Sequence, residues 1–232
     1  MNKLGIIGAM EEEVNRLKEK MEKVEVRRLA SIDFYEGSIA GKRLVIARSG
    51  IGKVNAAVCS QILVDIFDVK AIINTGVAGS LRNDINITDI VLSSDAIQHD
   101  VDARGFGYEK GVIPRMETSN FIADQTLINL AQSVCKRVIP EVGIHLGRVV
   151  SGDQFISDNS KKEMIVKHFG GYCTEMEGAA IAQVAYLNHV PFLIIRAISD
   201  KADHDAEMTF AEFEEIAISN TVKLLLGMIE EY

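Results

Sequence analysis

Apolar positions along this 232-residue chain fall into short runs of two kinds that alternate. Lys3–Ala9 is a brief apolar run of strand length. Glu11–Val24 follows with Val14, Leu17 and Met21 spaced to share one face of a helix. Phe34–Ile39 and Arg43–Ala47 flank Ala40-Gly41-Lys42 and predict a hairpin. Val54–Phe67 returns to helical spacing through Val54, Ala57, Val58, Ile62 and Ile66. Ala71–Asn74 reads as a buried strand ending in Thr75-Gly76-Val77-Ala78-Gly79, and Ile90–Ser93 as another. His99–Phe121, with Gly105, Gly107 and Gly111, reads as loop. Asp124–Val138 is a predicted helix with Asp124 at its N-cap. Ile144–Val150 is a strand, Lys161–Phe169 a helix, Glu177–Leu187 an alanine-rich helix and Phe192–Ile198 a strand. Thr209–Ile229 closes the chain as a helix, with Thr209 and Glu212 spaced as a capping box. Alternation of this kind predicts a mostly parallel sheet sandwiched by helices, in one domain spanning residues 1–232.

Ligands of such sheets bind outside the carboxyl ends of the strands. The unusual residues collect there. Glu13 lies just past the first strand, and Ser49-Gly50-Ile51-Gly52-Lys53 follows the hairpin. Gly76–Gly79, Ser151-Gly152-Asp153, Glu175–Glu177 and Ser199-Asp200 follow four later strands. The strongest signal is Thr174-Glu175-Met176-Glu177-Gly178-Ala179-Ala180, taken with Arg196-Ala197-Ile198-Ser199-Asp200. Both set carboxylates against apolar strands, where an ionised carboxylate is costly unless something pairs with it. Ligand binding or catalysis is the best account of such groups. Glu175 and Glu177 alternate across a strand end, so one is expected to face the pocket while the other braces a neighbouring turn. Arg196, within an apolar strand, needs a carboxylate, and Glu13 and Asp200 are the expected partners.

Composition narrows the field. A formal net charge of −8 argues against nucleic-acid or anionic-membrane partners. No apolar stretch approaches the roughly 20 residues of a transmembrane helix, and the first residues lack a signal-peptide pattern. Cys59, Cys135 and Cys173 are isolated from one another and read as reduced, half-buried thiols of a cytoplasmic protein. Ser49–Lys53 is no triphosphate loop, because Val54 and Ala47 stand where that motif needs a hydroxyl and a glycine. Gly5-Ile6-Ile7-Gly8 does not complete a dinucleotide fingerprint. His99-Asp100-Val101-Asp102 and His204-Asp205 match no metal-ligand spacing and read as solvated loop.

Seven segments in order over nearly the whole chain resemble one family. They are Gly5–Val14 (GIIGAMEEEV), Ser49–Lys53 (SGIGK), Asn74–Gly79 (NTGVAG), Phe106–Tyr108 (FGY), Ser151–Ile156 (SGDQFI), Glu175–Ala180 (EMEGAA) and Arg196–Asp200 (RAISD). They resemble the 5′-methylthioadenosine/S-adenosylhomocysteine nucleosidases of the nucleoside phosphorylase-like superfamily. The resemblance implies a three-layer α/β/α sandwich around a mixed, mostly parallel central sheet. It also implies a homodimer, no metal or cofactor, and hydrolysis of the bond between adenine and ribose. By the same resemblance Glu13 activates the attacking water and Asp200 protonates the departing purine. Glu177 accepts from the ribose hydroxyls, with Met176 against the sugar. Phe155 stacks on the base, and the backbone of Ile156 reads its polar edge. Ser199 and Arg196 support Asp200 and Glu13, while Ala78, Gly79 and Glu175 complete the substrate surroundings. Ile51 lines the alkylthio end, and Phe106 and Pro114 reach into the pocket of a partner subunit.

The chain departs from the family pattern in places. Val77 replaces a common serine near the attacking water, and Gly178 a common alanine, giving a form also seen in the phosphorylase branch. Arg104-Gly105 ahead of Phe106 is unusual too. Three other readings compete. A nucleoside phosphorylase would need a phosphate site, for which only Lys53 and Arg48 are at hand. A hydrolase of another purine nucleoside, such as a futalosine hydrolase, would differ at the 5′ pocket. A nucleoside-binding protein without chemistry would have little use for both Glu13 and Asp200.

Overall fold

The structure is a computed structural model and describes residues 3–203 and 206–232. Its centre is a parallel group of strands. β4 (Lys42–Arg48), β1 (Leu4–Gly8) and β5 (Ala71–Ser80) lie side by side, and β10 (Phe192–Asp200) adds parallel to β5. Every residue of β1 and β10 is buried, as expected of strands covered on both faces. Antiparallel β3 (Ile32–Ile39) and β2 (Glu22–Leu29) extend the sheet beyond β4. On the other side β10 pairs antiparallel with β6 (Ile90–Gln98), and β6 parallel with β8 (Ile144–Ser151). β8 pairs parallel with β9 (Cys173–Glu175), which returns antiparallel to β5. The short β7 (Phe121–Ile122) hangs from β6. Strands β5, β10, β6, β8 and β9 thus close into a ring, so the sheet is mixed and curls on itself. Register slips between Ser93 and Ala96 and between Ile198 and Asp200 supply bends of the kind that closure requires.

Helices flank the sheet in two groups. α2 (Lys53–Asp65) packs against α5 (Gly178–Leu187), whereas α1 (Glu11–Lys18) and α3 (Gln125–Val138) pack against α6 (Ala206–Glu231). α4 (Asn159–Phe169) precedes β9. Asp124 caps α3 as predicted, its carboxylate accepting from the Leu127 N–H at 2.9 Å. No helix among the described residues is long and apolar enough to cross a membrane.

Five sequence expectations need correction. The first helix stops at Lys18, and Glu22–Leu29 is a strand instead of its continuation. Its valines, Val24 and Val26, are 41% and 54% exposed, so no apolar face marked it. β5 runs on through Thr75–Ser80, so the glycine segment belongs to the strand that was expected to stop at Asn74. Thr209 lies inside α6, already helical at Ala206, so no capping box starts there. The three cysteines are fully buried and burial pushes their thiols up, Cys59 and Cys135 to about 12. His99 is buried and Asp100 is paired with Lys53, so neither belongs to a solvated loop. His204-Asp205 lies outside the described residues.

Candidate active site

The carboxyl ends of β1, β5, β9 and β10 open onto one cleft of about 320 Å³. Glu13 enters it from the first turn of α1, where an acidic group also suits the helix dipole. One carboxylate oxygen accepts from the backbone N–H groups of Ala9 at 2.6 Å and Met10 at 2.9 Å, and the other from Val77 at 3.2 Å. A side chain at position 76 would meet Glu13 Oε1 at 2.5 Å, so only glycine lets β5 pass this close. Burial raises the Glu13 pKa, and the Arg196 charge with the three N–H groups opposes that rise.

Arg196 does not pair as expected. Its close ion-pair partner is Glu175, not Glu13 or Asp200, and it also donates to Asn74 Oδ1 at 2.6 Å. Glu177 lies at 3.9 Å. Both oxygens of Glu175 are occupied. One accepts from the Ser151 hydroxyl, the other from Arg196 and from the Gly178 N–H at 2.7 Å. Glu175 lines the cleft, yet its hydrogen bonds face inward and brace the start of α5. This is the expected division between the two glutamates, with Glu175 bracing and Glu177 turned to the cleft.

Glu177 has one strong contact, a 2.8 Å bond from the Gly52 N–H. Burial, reinforced by the Glu175 charge, pushes its pKa up from 4.5 to about 7, against the pull of Arg196. Three carboxylates, Glu13, Glu175 and Glu177, thus surround one guanidinium, and the excess negative charge favours a cationic guest.

The folded state holds the Glu177 proton more tightly than the unfolded chain, so this group's contribution is fully favourable below pH 4.5. It is lost as pH rises from 4.5 through about 7. Glu177→Gln keeps an acceptor for Gly52 and removes the charge. It is expected to stabilise the protein by about 3 kcal/mol at pH 8, at about 1.4 kcal/mol per pH unit, and by nothing at pH 4. Thermal melts of the two proteins at both pH values check this. An unchanged or lower Tm at pH 8 would show that Glu177 is not held against its charge.

Asp200 closes the far side. One oxygen accepts from the Ala202 N–H at 2.7 Å and the other from the Ser199 hydroxyl at 2.9 Å. Burial raises its pKa over the opposing pull of those bonds. Neighbours on a regular strand face opposite ways, yet Ser199 and Asp200 both line the cleft. The register slip after Ile198 turns the strand end to allow it. A side chain at Gly79 would meet Asp200 Oδ1 at 2.6 Å.

Ile51, Val77, Ala78, Gly79, Phe155 and Met176 also line the cleft, as expected. Arg196 stands behind it, fully buried. The Ile156 side chain packs with Val150, Ile165 and Phe169 instead of facing the cleft, which leaves only its backbone for a ligand. Phe106 and Pro114 are exposed and away from this chain's own cleft. Met10 and Phe210 are walls that the sequence did not single out. Phe210 meets Phe155 edge-on at 6.5 Å between centroids. It sits on the closing helix, away from any strand end, so nothing flagged it.

Residues 3–230 match the phosphorylase superfamily. The 5′-methylthioadenosine/S-adenosylhomocysteine nucleosidase of Staphylococcus carnosus is 45% identical over 228 residues, covering 98% of this chain and 99% of its own. The crystal structure of the Neisseria meningitidis nucleosidase of the same name, in complex with methylthio-immucillin-A, is 39% identical. It superposes with a TM-score of 0.95 over 100% of both chains. A Helicobacter pylori futalosine hydrolase is 34% identical with a TM-score of 0.94, over 100% of this chain and 98% of its own. A cleft of buried carboxylates at the ends of parallel strands, together with full-length similarity of this order, places the chain in the phosphorylase superfamily and, within it, in the 5′-methylthioadenosine/S-adenosylhomocysteine nucleosidase family.

Proposed function

We propose that this N-glycosyl hydrolase cleaves 5′-methylthioadenosine and S-adenosylhomocysteine, releasing adenine and the 5′-thio-substituted ribose. The observation that carries the reading is the set of buried carboxylates Glu13, Glu177 and Asp200 turned to one mostly apolar cleft, with Glu175 bracing its wall. As the bond to the base breaks, positive charge grows on the sugar. Glu177 accepts from its hydroxyls, and Glu13 takes a proton from the water that attacks the anomeric carbon. Electron density moves onto the purine, and Asp200 supplies the proton it then needs. Val77 offers that water no hydroxyl, but its backbone N–H holds Glu13 in place. Phe155 supplies the stacking face for the base, and Met176 packs against the sugar.

Phosphate as the nucleophile finds little support. Lys53 Nζ is bound to Asp100 at 2.6 Å and Gln98 at 2.9 Å, and Arg48 lies 3.6 Å from Glu11. Similarity to a futalosine hydrolase keeps a second hydrolase reading in view, and the two differ at the 5′ substituent. Ile51, Met10 and Phe210 make the wall apolar, which favours an alkylthio group. Exposed apolar side chains on α2 (Val54, 75%; Val58, 39%) with Phe106 (85%) support a homodimer in which Phe106 and Pro114 reach the partner's cleft.

The test is adenine release from 5′-methylthioadenosine in phosphate-free buffer and with phosphate added, alongside futalosine. Equal release in both buffers, with methylthioribose as co-product, is expected. Release only with phosphate would make the enzyme a phosphorylase. Faster cleavage of futalosine would reassign the substrate.

A further inference from the structure

The Ser49–Lys53 loop is built into a hydrogen-bonded junction that substrate contact alone does not explain. The Lys53 N–H donates to Asp153 Oδ1 at 2.8 Å. The Asp153 N–H donates to Asp100 Oδ2 at 3.0 Å, and Lys53 Nζ donates to Asp100 Oδ1 at 2.6 Å. These three bonds make a closed circuit joining the start of α2, the loop after β6 and the loop after β8. One residue before Lys53, the Gly52 N–H holds Glu177. Gly52 has φ +97°, a left-handed conformation that favours glycine, and a side chain there would meet Asp153 Oδ1 at 3.1 Å. Two residues beyond Asp153 stands Phe155, and one before Gly52 stands Ile51, both walls of the cleft.

The Lys53 and Asp100 side chains are only 17% and 16% exposed, so the pair is shielded from water. Burial alone would raise the Asp100 pKa, but the bonds from Lys53 and Asp153 outweigh it and hold it below the ordinary carboxylate range. Asp100 is therefore held as a carboxylate, and the geometry of the circuit is directional.

We propose that Asp153 is a positioning residue, the latch through which Lys53 and Asp100 fix the Phe155 loop against the loop that carries Ile51 and holds Glu177. It touches none of the reacting atoms. It sets the distance between the face that takes the base and the acceptor that takes the sugar, and misplacement of such groups is costly. The identity of base and sugar rests on the function proposed above, whereas the mechanical link does not.

Two readouts separate these. Hydrogen exchange of the free protein follows the loops without any ligand. In Asp153→Ala the amides of residues 152–156 and 50–53 are expected to lose protection together, and in Asp153→Asn, which keeps the Oδ1 acceptor, to retain it. Adenine affinity and steady-state kinetics follow the consequence. Asp153→Ala is expected to weaken adenine binding and raise KM about tenfold, with kcat within about threefold. Asp153→Asn recovers most of that loss. In a Phe155→Ala background the Asp153→Ala change should add little, because the two act through one contact. Unchanged exchange in Asp153→Ala, failure of Asn to rescue, or additive losses with Phe155→Ala would each overturn the latch. Normal exchange effects in a protein that neither binds adenine nor cleaves the nucleoside would instead overturn the function and leave the latch standing.

Discussion

Glu13→Gln is expected to lower kcat by about 10²–10⁴, the usual worth of a positioned general base, while binding of adenine and of uncleaved substrate survives. The substitution is nearly isosteric. A glutamine oxygen can keep the bonds from Ala9 and Met10, leaving the amide NH₂ opposite the Val77 N–H. Two donors then face each other, so a stability cost of about 1–3 kcal/mol accompanies the change. The kinetic loss is far larger than that cost explains, because the folded fraction stays near one. The pH profile separates the two effects. Burial raises the Glu13 pKa against Arg196 and three backbone N–H groups. A base must be ionised to act, so wild-type kcat/KM falls on acidification, with a midpoint above the 4.5 of an ordinary glutamate. The residual activity of the variant should lack that limb. Turnover near the wild-type value would remove Glu13 from the role.

Much of the site was legible because burial and charge conflict visibly in sequence. Glu175, Glu177, Arg196 and Asp200 stand in apolar runs that leave little alternative to a paired or functional role, and all four are buried around the cleft. What sequence could not supply is the pairing among them. Arg196 has three carboxylates within reach of its field, and the choice of Glu175 depends on the Ser151 and Gly178 contacts that orient that carboxylate. Strand extent was equally hidden. Thr75–Ser80 lay beyond the apolar run that marked the strand, and its glycines admit the close approach of Glu13, Arg196 and Asp200 to β5. β2 carried no apolar face, and its pairing with β3 overrode the helical spacing that ran into it. Phe210 reaches the cleft through the packing of α6, which no local pattern records, and Met10 reaches it from the turn between β1 and α1.

Asp200→Asn is expected to cost about 10²–10⁴ in kcat on adenine nucleosides, for the opposite chemical reason. Asparagine can keep the bond from Ala202 through its oxygen and donate to Ser199, whose hydroxyl has the Ala78 carbonyl at 3.5 Å as an alternative acceptor. The cleft should therefore hold its shape, and removing a buried carboxylate whose pKa is already raised costs no stability at neutral pH. What disappears is a transferable proton. The acid must be protonated to act, so the wild-type profile should fall on its alkaline side as Asp200 loses its proton, and that limb should vanish in the variant. Leaving-group dependence then separates this residue from Glu13. A riboside of 4-nitrophenol departs as a stable anion and needs no proton. On that substrate Asp200→Asn should come within about tenfold of wild type, while Glu13→Gln remains slow, because the water still needs its base. Equal losses for Asp200→Asn on both substrates would mean that Asp200 holds the base in place without protonating it.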